Sequence, residues 1–449
     1  LGEPSSVALK SFRIAVILVC VVFAAGALLR SVQDARSYSG GDLRYKIVGA
    51  RLLTSGRNPY SAEYQNQDER FAMSLWRARG PSQVTYDPAL LLMYSPFCWT
   101  RYDHLRYAWF VVEWVCLLAS ILLIAGTIPR GNARTVFWCI ALVGFVASTF
   151  WRLHAERGQY YVYLLLLLSL SWYIRHRLPG DWILFAIPLA LATSFRPTFG
   201  VIGLVLLAFR QWRAGASYFA FLAIFIGCTL PFGGIARWQQ FFANANDIAR
   251  GMGDPAFLDA KFGKELCGFY RAEGARFDRA AVIPSTNSSF NSYAVRLLTR
   301  LHVVANTPEM QSSDRPAKIA IACIAAGFAG LFAWISRRKI AADKILFACI
   351  TVALVCDMFA PIRFSYVDVI FLLPVGIICC WQEITFGSVT AIFLACMALL
   401  LGSGAYAYLS VRQYMMLRPV LLLAACLVKM LCDLKSVQSP EPLEPTAAG

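Results

Sequence analysis

SGGDLRYKIVGARLLTSGRNPY, residues 39–60, follows directly on an apolar run at Phe12–Leu29 and yet is polar throughout. Gly40 and Gly41 free the backbone, and Asp42 then falls where a helix N-cap belongs. Leu43, Ile47 and Ala50 recur at i, i+4 and i+7, which predicts a helix with one apolar face. Arg44, Lys46 and Arg51 fill its other faces, and Gly56, Asn58 and Pro59 end it. The stretch therefore reads as a short amphipathic helix lying on a membrane surface with a carboxylate at its entrance. A carboxylate so placed suits a general base beside an anionic lipid headgroup.

Working outward, the composition demands a membrane. Of 449 residues, 58% are hydrophobic and only 15% charged, more apolar and less charged than a soluble domain. The net charge of +16 is spread along the chain, which favours cytoplasmic loops and lipid phosphates as its partners and gives no reason to invoke nucleic acid. Most of the 14 cysteines sit inside apolar runs, where they act as small hydrophobes and point to neither a disulfide framework nor a metal cluster. The first apolar run follows Lys10 and Arg13 and reads as an uncleaved first span.

Apolar runs of spanning character recur from Phe12–Leu29 to Met415–Leu431, about twelve in all by the bilayer-length criterion. Pro88–Trp99 holds two prolines and reads as re-entrant or interfacial. With both termini inside, the basic turns at Arg130 and Arg134, Arg175 and Arg177, Arg210 and Arg213, and Arg337 to Lys339 all fall on the cytoplasmic face. The fold class expected is an all-α polytopic membrane protein, one transmembrane domain over 1–435 with outer loops near 31–107 and 233–316 that carry surface amphipathic helices. Residues 436–449 are Pro- and Glu-rich and read as a disordered cytoplasmic tail. No internal repeat is visible, which weighs against an inverted-repeat transporter.

The residues that can carry chemistry gather on the predicted outer face. Asp42 has an ordinary reading as a helix cap, but capping leaves a carboxylate able to accept a proton. The turn WRLHAERGQYY at 151–161 crowds Arg152, His154, Glu156, Arg157 and Gln159 between two spans, and its arginines break the positive-inside pattern. Arg196, before Pro197, places a guanidinium between apolar segments, where it either snorkels to the interface or meets an anion such as phosphate. Arg363 stands at another outer turn, flanked by Asp357 and Asp368, which are able to pair with it. In STNSSFNSYAVRLL, residues 285–298, Asn287 and Asn291 fall on one side of a helix and offer two amides to a sugar, although Asn-rich segments commonly mean only a turn. No GK[ST] phosphate loop, HExxH or GxSxG motif is present, and acidic residues are too scattered for a two-metal site. The pattern is a site of one base and several arginines fed from the bilayer, with no cofactor.

Four stretches carry a family likeness: GDLRYKIVGARLLTSGRNPY, YDPALLLMYSPF, RGQYYVYLLLLL and ATSFRPTFG, with NSSFNSYAVRLL and PIRFSYVDVIFLLP adding to them. In this order they resemble the polyprenyl-phosphate-sugar-dependent glycosyltransferases of family 87, which have the GT-C fold. The mycobacterial mannosyltransferases that elongate phosphatidylinositol mannosides belong to that family. The resemblance implies an inverting transferase of the plasma membrane of a bacterium, its active site facing the periplasm. The family's essential aspartate matches Asp42. Its lysine before proline is matched in charge by Arg196, whereas its histidine near Ser365–Asp368 is replaced here by Tyr366, Val367 and Asp368.

On that reading Asp42 is the catalytic base, and Arg152, Arg157, Arg196 and Arg363 hold the donor phosphate. His154, Gln159, Asn287, Asn291, Tyr366 and Asp368 contact the sugar or the acceptor. The partners expected are a polyprenyl-phosphate sugar, a lipid or glycan hydroxyl, and the surrounding membrane lipids. Two rivals share part of the pattern: another GT-C enzyme, such as a lipid-linked glycan ligase or an aminoarabinose-type transferase, and a lipid or glycan transporter.

Overall fold

The structure is a computed structural model and describes residues 6–37, 40–60, 84–253, 315–335, 340–360, 363–380, 386–404 and 411–435. These residues are helical, with no strand among them. Helix α1 (Ser6–Ser37) leads into α2 (Gly41–Thr54), the helix anticipated in the opening stretch. Its apolar residues Leu43, Ile47 and Ala50 are all buried in the main core. Arg51, expected on an exposed face, instead donates to the carbonyls of Cys98 (2.7 Å) and Thr100 (2.9 Å).

The Pro88–Trp99 segment folds as α3 (Pro88–Met93) and a 3-10 turn (Ser95–Phe97). Six helical residues rise only about 9 Å, too little to cross a bilayer. Asp87 caps α3 by accepting from the Leu90 N–H at 2.8 Å. Farther on, α11 (Gly234–Gly253) brings Trp238 and Phe241 against Tyr60, Leu53, Val84 and Leu91. Asn244 donates to Val84 O (2.7 Å) and Arg237 to Gly56 O (3.1 Å), so the amphipathic helices α2 and α11 form one layer with the short apolar α3.

Beneath that layer lies the bundle. α4 (Tyr102–Thr127) packs along α7 (Tyr161–Arg177), α7 on α8 (Ala186–Phe195), and α8 on α10 (Trp212–Gly227). Between α4 and α7, α5 (Asn132–Cys139) continues as a π-helix over Ile140–Val146. The chain then bends by 53° into α6 (Thr149–Arg157), which Ser148 caps through the Trp151 N–H at 3.1 Å. α9 (Val201–Ala208) follows α8 after a 3-10 turn at Pro197–Gly200, so the Arg196-Pro197 step separates the two short helices, as the sequence leads one to expect.

Downstream stand α12 (Arg315–Ile335), α13 (Ala342–Met358), α14 (Leu372–Cys379), α15 (Phe386–Gly404) and α16 (Val411–Lys435). Residues Ile345 to Met358 of α13 are buried on every side, the mark of a helix at the centre of a bundle. A 3-10 segment, Ser365–Phe371, precedes α14 and packs on α6 and α7.

Three helical stretches among the described residues are long and apolar enough to cross a membrane: Arg13–Arg36, His104–Thr127 and Trp212–Phe232. The bent pair at 132–157 makes a fourth if it counts as one span. These apolar helices mark a membrane protein, and among the described residues they number three or four where the sequence leads one to expect about twelve spans over the whole chain. Shorter apolar helices among the described residues include Ala186–Phe195, Pro197–Ala208 and Ser365–Cys379. Asn287, Asn291 and the tail 436–449 lie outside the described residues.

Candidate active site

The site begins at Gly40, not at Asp42. Gly40 adopts a left-handed conformation (φ 65°), occupies the N-cap position, and accepts a hydrogen bond from the Tyr102 hydroxyl at 2.6 Å. A Cβ at Gly40 would come within 2.7 Å of Arg106 Nε, so the turn needs glycine twice over. Asp42 therefore sits inside the first helical turn and caps nothing. Its carboxylate lies near the positive end of the helix dipole and faces across to the end of α6.

That facing surface is the turn at Gly158. This residue ends α6 in the left-handed region (φ 66°), and a Cβ there would meet Leu43 Cβ at 2.6 Å. Arg106 reinforces the turn by donating to the last carbonyls of α6, Ala155 O (2.8 Å) and Glu156 O (3.2 Å). The close packing of α2 on Gly158 brings two side chains to Asp42. Gln159 Nε2 donates to its Oδ2 in a short hydrogen bond, and Arg157 Nη1 stands 3.8 Å from the same oxygen.

Lys46, one turn beyond Asp42, corrects the sequence reading. Expected on a polar face, it is fully buried, because the face it shares with Asp42 is the one pressed on the 158–160 turn. Its ammonium donates to Asp42 O (3.1 Å), Gly158 O (3.0 Å) and Gln159 Oε1 (3.2 Å), and lies 4.4 Å from the centre of the Tyr86 ring. Burial pulls its pKa down to about 7, against the pull of the carboxylates of Asp42 and Glu113.

From Lys46 a wall of tyrosines crosses the site. Tyr86 meets Tyr160 edge-on at 6.0 Å, Tyr160 stacks on Tyr161 at 4.3 Å, and Tyr161 lies 5.7 Å from Tyr366. Tyr366 is in electrostatic range of Asp42 and Arg157, and Tyr161 of Arg196. Arg196 closes the far end with its guanidinium 5.6 Å from the Tyr161 ring centre. Asp87, buried beneath, also feels Arg196; burial raises its pKa to about 7 despite backbone N–H donors.

Behind Arg196 runs a chain of alternating charges. Arg196 Nε donates to Asp357 Oδ1 (2.6 Å), and Arg363 bridges Asp357 Oδ2 (3.2 Å) and Asp368 Oδ1 (2.8 Å). Arg418 then meets Asp368 Oδ2 from Nε at 3.0 Å. Thr198 adds a hydroxyl to Asp357 Oδ1 at 3.0 Å. Every member but Arg196 is essentially sealed from solvent. Arg196 keeps 14% of its side-chain surface, and its Nη2 has no hydrogen-bond partner among the described residues.

The residues singled out from the sequence thus separate. Asp42, Arg157 and Gln159 come together, with Tyr366 and Arg196 on the tyrosine wall. Arg152 turns away and forms a two-pronged ion pair with Asp34 of α1. His154 is buried, stacked on Trp151, with Nε2 accepting from the Val162 N–H (3.2 Å) and Nδ1 3.5 Å from Glu113. Arg363 and Asp368 are enclosed in the ion-pair chain. Lys46, Tyr86, Tyr160 and Tyr161 were missed, although the last three stand in two of the stretches that carry the family likeness. Their signal was an aromatic flanking a polar turn, which ordinary interfacial packing produces as well.

Residues 84–361 match the model of glycosyltransferase family 87, well over half of the chain. The matched region holds Tyr86, Tyr160, Tyr161, Arg157, Gln159, Arg196 and Asp357, while Asp42 and Lys46 precede it and Tyr366 follows it. No curated protein matches the chain.

Proposed function

The chain belongs to glycosyltransferase family 87, and on that premise we propose that it moves a sugar, mannose in the first instance, from a polyprenyl-phosphate donor to a hydroxyl of a lipid or glycan acceptor. The reaction takes place on the outer face of a bacterial plasma membrane and inverts the anomeric centre. The observation that carries this reading is the arrangement at Asp42. Its carboxylate is held by Gln159, keeps 18% of its surface, and faces a tyrosine wall that ends in the incompletely paired Arg196.

The chemistry follows from those groups. The acceptor hydroxyl gives its proton to Asp42 as its oxygen attacks C1 of the sugar. The bond from C1 to the phosphate oxygen breaks, and the electron pair leaves with the lipid phosphate. Arg196, anchored through Nε to Asp357, offers its second nitrogen to that growing charge. Arg157 lies on the Asp42 side and neutralises the acceptor end. The tyrosine rings supply flat apolar faces against which a sugar ring packs. Arg152 and Arg363, engaged by Asp34, Asp357 and Asp368, drop out of the phosphate assignment, and His154 and Asp368 out of the sugar contacts.

The test is donor turnover by purified enzyme in lipid vesicles, with a panel of polyprenyl-phosphate sugars and membrane lipid extract. One donor consumed by wild type and spared by a folded Asp42→Asn variant is the expected result. An Asp42→Asn enzyme as fast as wild type would remove Asp42 from the mechanism.

A further inference from the structure

Lys46 has three hydrogen-bonded partners, all oxygens and all on the frame of the Asp42 pocket: Asp42 O at 3.1 Å, Gly158 O at 3.0 Å and Gln159 Oε1 at 3.2 Å. An ammonium has three N–H donors and no acceptor, so a hydrogen-bonding neighbour must present it an acceptor rather than another donor. The amide of Gln159 must then turn its oxygen toward Lys46. That leaves its NH₂ to face Asp42 Oδ2, which as a carboxylate can only accept. Flipping the amide would set NH₂ against ammonium and oxygen against carboxylate, two repulsive contacts in a buried place. The Tyr86 ring, 4.4 Å from Nζ, covers the ammonium on another side.

We propose that Lys46 is a positioning residue of the transfer reaction: by holding Gln159 it fixes the Asp42 carboxylate in the orientation from which it takes the acceptor proton. The inference rests on the reading of Asp42 as the base. Lys46 touches neither donor nor acceptor on this account and acts only through Gln159. Its burial is thereby explained, since a lysine with a merely solvating role would lie on the surface of α2. The charged and titratable groups around the pair are Glu113 from α4, His154 and Arg157 from α6, and the tyrosines Tyr86, Tyr160 and Tyr366. All of these stay constant when only Lys46 and Gln159 are changed.

The experiment is a double-variant cycle on the full chain in lipid vesicles, with Lys46→Met, Gln159→Leu and the two combined. Infrared difference titration against Asp42→Asn reads the protonation of Asp42 without substrate. Turnover of the polyprenyl-phosphate sugar that wild type consumes gives kcat and KM. Losing the donor or the nearby cation disfavours the ionised carboxylate, so each single variant is expected to move the Asp42 infrared signal toward the protonated form at a given pH. Each is expected to lower kcat about a hundredfold at little change in donor KM. The double variant should be no worse than either single one.

An Asp42 titration that stays put in Gln159→Leu or in Lys46→Met overturns the proposal, as do effects that simply add. If Lys46→Met does not fold, Lys46→Gln, which keeps an amide donor without the charge, takes its place in the cycle. Turnover by Asp42→Asn equal to wild type defeats the base assignment and this inference with it. An inactive Asp42→Asn beside an unmoved titration defeats this inference alone.

Discussion

Two charged clusters flank the tyrosine wall and are built in opposite ways. The Asp42 cluster is sparse at the carboxylate itself, which meets one amide and an arginine at 3.8 Å while Lys46 binds the frame behind it, and 18% of the aspartate side chain is still exposed. The Asp357–Arg363–Asp368–Arg418 cluster is dense and dry, and each carboxylate there is shared by two guanidinium groups. A carboxylate that already meets two cations has no capacity left for a substrate proton. A carboxylate held by one amide has. The difference separates a group placed to react from groups that hold the frame, and Arg196, anchored in the dense cluster but with one nitrogen buried and lacking a hydrogen-bond partner among the described residues, joins the two.

The contrast breaks most sharply at Asp42. Asp42→Asn is expected to lower turnover by about a thousandfold, the range of a lost general base, while the melting temperature in lipid or detergent stays near wild type. Arg363→Met should show the reverse. Removing one partner from a buried ion-pair chain costs about 3–5 kcal/mol, and the checking measurement is thermal unfolding followed by size-exclusion chromatography. A stable Arg363→Met enzyme with lost donor turnover would return Arg363 to the substrate.

Arg196→Met belongs between the clusters. It should lower kcat about a hundredfold or more, as loss of a charge-stabilising donor does, with a smaller loss of stability than Arg363→Met. Steady-state kinetics with the consumed donor, run beside a melting curve, separate the two effects.

The pH dependence of stability sharpens the Asp42 side. Burial lowers the pKa of Lys46 in the folded chain to about 7, from an ordinary lysine value of 10.5. Between those values the unfolded chain binds more protons than the folded one, so this group makes stability rise as pH increases through that window. The contribution is about 1 kcal/mol per pH unit and is to be absent from Lys46→Met, as read by thermal unfolding at pH 7 to 9. The smallest effect is expected at Arg152, whose pair with Asp34 is partly exposed. Arg152→Gln should cost about 1 kcal/mol or less and leave donor turnover intact, which kinetics and melting check together.

Some of this was legible before any coordinates. The helix in residues 41–54 announced itself through the spacing of Leu43, Ile47 and Ala50, and its end through Gly56. The non-crossing character of Pro88–Trp99 followed from its prolines, and the break after α8 from Arg196-Pro197. These are local properties, decided by backbone dihedrals and by apolar residues within a turn or two.

What composition and spacing determined was a helical membrane protein with a carboxylate at the start of a surface helix and arginines near its turns. Tertiary structure alone decided which of those charges were already used. Arg152 found Asp34 at a separation of 118 residues, Arg196 found Asp357 at 161, and Arg418 found Asp368 at 50. It also turned Lys46 inward, because Gly158 lets α2 approach closely enough for an ammonium to reach the carbonyls beyond it. Helix formation is governed by neighbours in sequence. The fate of a charge is governed by whichever opposite charge or carbonyl packing brings within about 4 Å, and no local pattern encodes that distance.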